Sequence, residues 1–270
     1  MSSEVYRLYS GELPILISLP HGGTYVPPEL IARMTPEALT LPDTDWHVER
    51  LYDFARQRGC GLISATHSRY VIDLNRDPGG KALYPGADNT ELVPLTTFAR
   101  LPIWREGAAP DEAEIEARRV RYWAPYMEAI TSEIAFMKQK FGVAVLFDGH
   151  SIASVLPRFF EGKLPDLNLG TVGGSSCEEY LAIRVFQALK GVEGFTAVHN
   201  GRFKGGYITR RFGRPQDGVH ALQLEIAQST YMDEEPPYAW NARSAEELRP
   251  ALDAALAAIF SWAKGRIKPQ

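Results

Sequence analysis

The sequence predicts an α/β fold in three layers, with a mostly parallel mixed sheet flanked by helices. Short apolar runs of strand length alternate along the chain with segments whose apolar residues recur at helical spacing. Strands and helices that alternate in this order build parallel sheets through crossover helices. Pro and Gly occur in short scattered clusters and no internal repeat stands out, so we expect residues 1–270 to form a single domain.

The predicted strands are short, mostly apolar, and followed by turn residues. The most continuous apolar run, VAVLF, reads as a fully buried strand, and the first strand ends at the sequence PHGG. A long extended segment is expected between Gly61 and Pro78. The predicted strands comprise residues 14–19, 61–75, 143–147, 195–198 and 219–227.

The predicted helices carry apolar stripes and begin at capping residues. Asp111 is the expected N-cap of the longest helix, and Pro125 should kink or split it. A Ser-x-x-Glu sequence at Ser176 resembles a capping box. Because Pro250 fits poorly inside a helix begun at Ser244, we expect the C-terminal helix to begin later. Before the C-terminal helix, the predicted helices cover residues 45–58, 111–140 and 176–189.

The composition excludes several classes of protein. The chain has 45% hydrophobic and 23% charged residues, as ordinary globular proteins do, which excludes wholesale disorder. A net charge of −4 argues against nucleic-acid binding through a basic face. Two cysteines cannot build a disulfide framework, which favours a reducing compartment. No signal-peptide core or membrane-spanning apolar run is visible, so we expect a soluble, cytoplasmic protein with no membrane partner.

Reactive side chains stand where three predicted strands end. His21 follows the first strand, Asp148 and His150 follow the VAVLF strand, and Glu225 lies near the end of a later one. Active sites of open α/β sheets form at the carboxyl ends of strands. Two histidines with a nearby carboxylate are typical of a catalytic zinc site, which has three protein ligands and one open position. Each histidine alone could instead be a turn or core residue.

The third ligand is not fixed by spacing. The segment DTDWHVE offers Asp43, Asp45, His47 and Glu49. Asp43 or Asp45 could equally cap a helix, and Glu49 could be a solvated helix residue.

Glu225 and the arginines suggest acid–base chemistry on an anionic substrate. Glu225 interrupts an apolar strand, where a carboxylate is costly unless it is paired or functional, so it is a candidate general base with a raised pKa. Arginine is suited to bidentate binding of carboxylates. The candidate arginines are Arg69, Arg76, Arg210 and Arg211, whereas Arg214 reads as a surface residue.

Two other classes of function remain open at this point. Gly149-His150-Ser151 resembles a nucleophile elbow, and Asp217 with His220 could complete a serine-hydrolase triad around Ser151. The arginines alone would also suit a non-catalytic binder of dicarboxylates or phosphates, although no P-loop sequence occurs.

Seven segments in order, spanning about residues 14–235, give the chain a family resemblance. They are SLPHGG, DTDWHVERLY, THSRYVIDLNRDP, FDGHS, FEGKLPDLNLGT, NGRFKGGYITRRFGRP and ALQLEIAQSTYMDE. Together they resemble the N-formylglutamate amidohydrolase family. Each segment is weakly diagnostic, but the ordered set is specific.

The resemblance implies a zinc-carboxypeptidase-like (phosphorylase/hydrolase-like) fold and a hydrolase that uses Zn²⁺ or another divalent metal. It implies cleavage of N-formyl-L-glutamate, a small dicarboxylate, to formate and L-glutamate in histidine degradation. A related N-acyl-amino-acid deacylase shares the same motifs. The implied roles are metal binding by His21, Asp45 (with Glu49 as the alternate) and His150, catalysis by Glu225 and Arg69, and binding of one substrate carboxylate by Asn75 and Arg76. Because this substrate has a second carboxylate, we expect Arg210 or Arg211 to bind it. The oligomeric state stays open.

Overall fold

The computed structural model describes residues 4–83, 86 and 88–267. Within these residues the fold is a mixed sheet of seven strands with helices packed on both faces. The strands are β1 (Tyr6–Tyr9), β2 (Ile15–Leu19), β3 (Gly61–Ala65), β4 (Ala144–Ile152), β5 (Leu167–Gly170), β6 (Ala197–His199) and β7 (Val219–Ala227). The helices are α1 (Pro28–Ile31), α2 (Val48–Leu51), α3 (Asp53–Gln57), α4 (Glu112–Arg118), α5 (Ala124–Phe141), α6 (Glu179–Lys190), α7 (Tyr207–Phe212) and α8 (Ala242–Lys264).

The centre of the sheet is parallel and its margins are not. The strand order is β1-β3-β2-β4-β7-β5-β6. Strands β3, β2, β4 and β7 run in one direction, whereas β1 and β5 pair antiparallel with β3 and β7. The prediction of a mostly parallel mixed sheet with flanking helices is therefore confirmed. The carboxyl ends of β2, β4 and β7 meet at one edge.

The sheet is buried on both faces. On β4, Val145 and Phe147 face a core shared with α6 and α8, while Ala144 and Leu146 face a core shared with α5. Strands covered on both faces read as continuous apolar runs, which is why VAVLF was recognisable from sequence.

Four predicted strands are confirmed, and one is corrected. The predictions at residues 14–19, 143–147, 195–198 and 219–227 correspond to β2, β4, β6 and β7. The segment 61–75 is a strand only as far as Ala65. Beyond it, side chains bond the local backbone: Tyr70 N donates to Ser68 Oγ, and Asn75 N donates to Asp73 Oδ1. Such local bonds favour turns over a ladder. The short antiparallel strands β1 and β5 were not predicted.

The long predicted helix is interrupted as expected. Asp111 caps α4 by accepting a hydrogen bond from Glu114 N at 2.8 Å, which confirms the predicted cap. A π-helical turn at Arg119–Trp123 then joins α4 to α5 just before Pro125, which has no N–H to continue an α-helical ladder.

The other helix boundaries needed correction. The predicted helix over 45–58 is two short helices: α2 begins only after the left-handed His47, and the non-helical Tyr52 separates α2 from α3. The prediction of a capping box at Ser176 is wrong. The Ser176 hydroxyl donates to Ala221 O, and α6 begins after Glu178. The C-terminal helix begins earlier than expected, at Ala242, with Asn241 accepting from Ser244 N. Burial of one apolar face of α8 compensates for Pro250 in its interior.

In the part of the chain that the structure describes, no helix combines the length and apolar character needed to cross a membrane.

His220 at the start of β7 gives a testable pH dependence of stability. Its Nδ1 accepts a hydrogen bond from Glu178 N at 3.1 Å, and its ring packs edge-on against Trp262. Burial lowers the pKa of His220 from 6.5 to about 4. Between those values the unfolded chain binds a proton that the folded chain does not, so this contribution to stability is lost as the pH falls.

We therefore expect wild type to lose more stability between pH 7 and pH 5 than His220→Asn, which keeps an acceptor but cannot titrate. Urea unfolding of both proteins at the two pH values measures the difference. Equal losses in the two proteins would contradict the prediction.

Candidate active site

The three residues predicted as metal ligands converge at the carboxyl edge of the sheet. His21 follows β2, Asp45 lies in the turn before α2, and His150 is in β4. One possible ligand atom from each lies within 4.8 Å of the others. All three side chains are buried. Two imidazoles and a carboxylate form the donor set of catalytic zinc sites.

Each histidine turns its inner nitrogen toward Asp45 and its outer nitrogen toward another carboxylate. The Nδ1 atoms of His21 and His150 lie 3.9 and 3.3 Å from Asp45 Oδ2. His21 Nε2 lies 2.8 Å from Asp73 Oδ1, and His150 Nε2 lies 3.1 Å from Asp148 Oδ2. Carboxylates placed this way stabilise the proton on Nε2, so that each Nδ1 would serve as the ligand atom when a metal is bound, as in metal-binding histidines. The donor set fits a divalent metal ion.

Negative charge accumulates around this cluster. Burial alone lowers the pKa of His150, but Asp148 and Asp45 outweigh it and raise that pKa well above its ordinary value. The pKa of His21 is lowered by burial and by the nearby Arg69, against the opposing effect of Asp73. A bound cation would balance the carboxylates in this water-poor setting.

A glycine makes the close packing at β4 possible. A Cβ atom at Gly149 would lie 2.8 Å from the Leu19 side chain and 3.1 Å from the Tyr52 ring. The DGH sequence at the end of β4 therefore lets Tyr52 pack directly against the strand between Asp148 and His150.

Glu225 is next to His150 across the β4–β7 pair. The two residues are direct partners in the parallel register, so their side chains emerge on the same face. Gln223 Nε2 donates to Glu225 Oε2 at 3.4 Å, and Gln223 Oε1 accepts from Gly206 N at 2.6 Å. Burial raises the pKa of Glu225 to about 8, against the opposing effect of His150. A carboxyl group with this pKa can both accept and release a proton near neutral pH.

A buried carboxylate holds the arginines, and sequence reasoning did not give it a role. Asp73 Oδ2 accepts from Arg69 Nη2 at 2.6 Å and lies 3.6 Å from Arg76 Nη1. Burial alone would raise the pKa of Asp73, but Arg76, Arg69 and His21 hold it well below its usual range. The signal in the sequence was an aspartate inside the otherwise apolar YVIDL segment.

The predicted oxyanion arginine is fixed on several sides. Arg69 Nη1 donates to Asp43 O at 3.3 Å, and its guanidinium carbon lies 4.7 Å from the centre of the Phe98 ring. Arg69 Nε is buried without a hydrogen-bond partner among the described residues. Because a buried N–H without a partner is costly, this donor is available to a ligand.

The segment after Asp73 continues along the same cavity. Asn75 Oδ1 accepts from Ile208 N at 2.8 Å, and Asn75 Nδ2 lies 3.1 Å from His150 Nε2. Arg76 Nε and Nη2 donate to Thr90.

These residues surround one cavity with about 600 Å³ of space, counting its opening to solvent. Its wall includes the cluster of His21, Asp45 and His150, together with Glu225, Arg69, Asn75 and Arg76. Further lining residues that sequence reasoning missed include Phe98, Phe159, Arg202 and Phe203.

The sequence segments that build this site also match a known protein family. Residues 13–232 match the family model described as N-formylglutamate amidohydrolase. The chain belongs to the N-formylglutamate amidohydrolase family. The N-formylglutamate deformylase of Pseudomonas aeruginosa is 46% identical over 263 residues, with 97% of this chain and 98% of that protein covered. That of Pseudomonas putida is 43% identical with the same coverage. The family predicted from sequence is therefore confirmed.

Solved structures of similar proteins share this fold. The N-formylglutamate amidohydrolase from Ralstonia eutropha superposes with a TM-score of 0.81 at 28% identity, covering 97% of this chain and 98% of that one. A gene product of Agrobacterium tumefaciens superposes with a TM-score of 0.69 at 17% identity, covering 97% and 95%, and shows likeness of fold alone.

Two arginines proposed for substrate binding do not line the cavity. Arg210 and Arg211 are exposed on α7, where Arg210 Nε donates to Gly205 O and Arg211 Nη1 donates to Tyr207 Oη. The sequence suggested a strand end here, but the segment is a helix whose buried side holds Ile208. The arginines therefore point outward in this family member.

The structure also separates the alternative ligands. Glu49 is at the surface and pairs with Arg7. Asp43 is buried, but its carboxylate accepts from Tyr70 Oη and Phe98 N. His47 bonds the carbonyl of Tyr238. Asp45 is therefore the carboxylate that stands with the two histidines.

The serine-hydrolase alternative lacks its geometry. Ser151 is paired with Ile226 near the end of β7, whereas His220 lies at the opposite end of that strand. Ser151 Oγ instead accepts from Tyr231 Oη at 2.7 Å. The proposed triad is not assembled, because His220 and Ser151 lie at opposite ends of the paired strands β7 and β4.

Gly206 offers a test of how closely the site is packed. A Cβ atom at Gly206 would lie 2.2 Å from Asn75 Nδ2. We expect Gly206→Ala to displace the Asn75 amide and to lower the free energy of unfolding by about 1–3 kcal/mol. Urea unfolding measures the loss.

Gly265→Ala is the matched control. The nearest atom to its added Cβ is the Trp262 carbonyl oxygen at 3.7 Å, so stability should be unchanged or slightly higher. A Gly206→Ala protein as stable as this control would show that Asn75 is not confined.

Proposed function

We propose that residues 1–270 form one metal-dependent domain that hydrolyses N-formyl-L-glutamate to formate and L-glutamate, as a step of histidine degradation. The observation that carries this proposal is the His21–Asp45–His150 cluster with Glu225 beside it in register. The names of the two Pseudomonas relatives support the same substrate.

The proposed metal is zinc. His21 and His150 would hold it through Nδ1 and Asp45 through its carboxylate, since these atoms already face one another. A bound zinc ion supplies Lewis-acid polarisation of a carbonyl oxygen and lowers the pKa of water.

Glu225 carries the proton in the proposed reaction. Its carboxylate accepts a proton from the water that attacks the formyl carbon. The protonated carboxyl group then donates that proton to the amine nitrogen as the C–N bond breaks, because an amine leaves poorly as an anion. A single buried residue can perform both transfers because its pKa lies near neutrality.

The arginines on the cavity wall are proposed to bind the negative charges of the substrate and of the developing oxyanion. Arg69 lines the cavity and its buried Nε has no partner among the described residues, so it is proposed to donate a hydrogen bond to the developing oxyanion. Asn75 and Arg76 are proposed to bind one substrate carboxylate, since both line the cavity and Asn75 lies next to His150.

Replacing the base tests the proton-transfer role. Glu225→Gln keeps the shape of the side chain but cannot accept the proton. We expect kcat for formate release from N-formyl-L-glutamate to fall by about 10²–10⁴-fold, with zinc still bound. Near-normal turnover by a zinc-loaded Glu225→Gln protein would exclude this role.

Metal removal tests the reaction class. We expect a strong chelator to abolish formate release and added zinc to restore it, whereas a serine-directed phosphonate should have no effect. N-Acetyl- and N-succinylglutamate in the same assay report the acyl preference. Activity that survives complete metal removal would overturn the proposal.

The carboxylate behind His150 should tune metal affinity. Asp148→Asn replaces the anion that holds His150 Nε2, so we expect zinc affinity to fall by about 10- to 100-fold in a competitive chelator titration. Asp217→Asn is the control, because Asp217 is exposed and distant along the sheet. Equal zinc affinity in both variants would argue against the proposed ligand set.

A further inference from the structure

Arg202 is a cavity-lining cation that comes from a different segment than the other arginines. It lies between β6 and α7 and borders the same cavity as the metal cluster. Its Nε donates to the carbonyl of Phe159. Its guanidinium carbon lies 5.9 Å from the centre of the Phe159 ring and 5.3 Å from that of Phe203. These contacts fix the orientation of the guanidinium on the wall.

The other arginines near the cavity are held by carboxylates in two groups. Arg69 and Arg76 share the carboxylate of Asp73. Asp88 is held by Arg100 and Arg158, at 2.7 and 3.0 Å.

Cationic groups therefore stand at two separately anchored places on the wall. One is the Asp73-held pair beside the metal cluster, and the other is Arg202, anchored on Phe159. A ligand with two carboxylates matches two separately held guanidinium groups better than a ligand with one.

We propose that Arg202 binds the side-chain carboxylate of the substrate and thereby selects dicarboxylic N-formyl amino acids over neutral ones. This inference rests on the proposed function and names the specificity determinant within it. Asn75 and Arg76 then take the α-carboxylate, because Asn75 adjoins His150 and so the reacting end of the substrate, and Arg76 follows Asn75 on the same cavity wall.

The selection has a simple physical cause. A carboxylate can pair with the planar guanidinium through two parallel hydrogen bonds. A side-chain amide of the same shape brings no charge and donates where it should accept. A site built to bind a charged group discriminates against a neutral isostere because the polar groups of the site are left poorly paired.

The test compares N-formyl-L-glutamate with N-formyl-L-glutamine, which differ only in the charge and donor pattern of the side chain. For Arg202→Gln we expect kcat/KM for N-formyl-L-glutamate to fall about 10- to 100-fold, mainly through KM. The value for N-formyl-L-glutamine should change by less than about twofold. Arg202→Lys, which keeps the charge without the planar pair of donors, should lie between wild type and Arg202→Gln.

Arg214→Gln is the matched control, since it removes the same charge from an exposed position outside the cavity lining. It should leave the preference between the two substrates unchanged. If Arg202→Gln keeps the wild-type preference, or loses both substrates to the same extent, the inference is wrong.

Product binding separates this inference from the proposed function. Calorimetry measures the affinities of wild type and Arg202→Gln for L-glutamate and L-glutamine without any turnover. If the zinc-loaded wild type releases no formate, the proposed function fails. The assignment of Arg202 still stands if wild type prefers L-glutamate and the variant does not. A wild type without that preference overturns it.

Discussion

The buried carboxylate of Asp73 is the interaction on which the site depends. It has no exposed surface, and a charge in such a place is stable only when it is paired. Its partners are His21 on one side and Arg69 and Arg76 on the other. One carboxylate therefore orients a predicted metal ligand and also holds two cations of the cavity wall.

The sheet positions the two histidines and Glu225 relative to one another. The carboxyl ends of β2 and β4 place His21 and His150 with their ring centres 4.9 Å apart. The parallel register of β4 with β7 then sets Glu225 directly beside His150. The backbone hydrogen bonds of the sheet hold in place the strands that carry these side chains. The cavity-lining arginines come from connecting segments, where shape can vary without disturbing the sheet.

Apolar patterning and residue type were enough to predict much of this. Buried parallel strands are continuous apolar runs, so β2, β4 and β7 were predictable, and polar residues at their ends marked His21, His150 and Glu225. The ordered motifs then indicated the family. The weaker predictions were those that depend on local turns. The segment after Ala65 looked extended because Val71, Ile72 and Leu74 stand before Pro78, but the Ser68 and Asp73 side chains accept hydrogen bonds from the local backbone, which favours turns.

The sequence by itself determined the α/β architecture, the family and the chemical types at the strand ends, because strand pattern and side-chain chemistry are local properties. Only the tertiary structure decided that Asp45 and not Glu49 joins the histidines, that Arg210 and Arg211 point outward, and that Arg202 reaches the cavity. Spacing along the chain cannot decide such questions. Which side chains meet depends on how turns and short helices orient them, and that orientation is set by packing between segments distant in sequence.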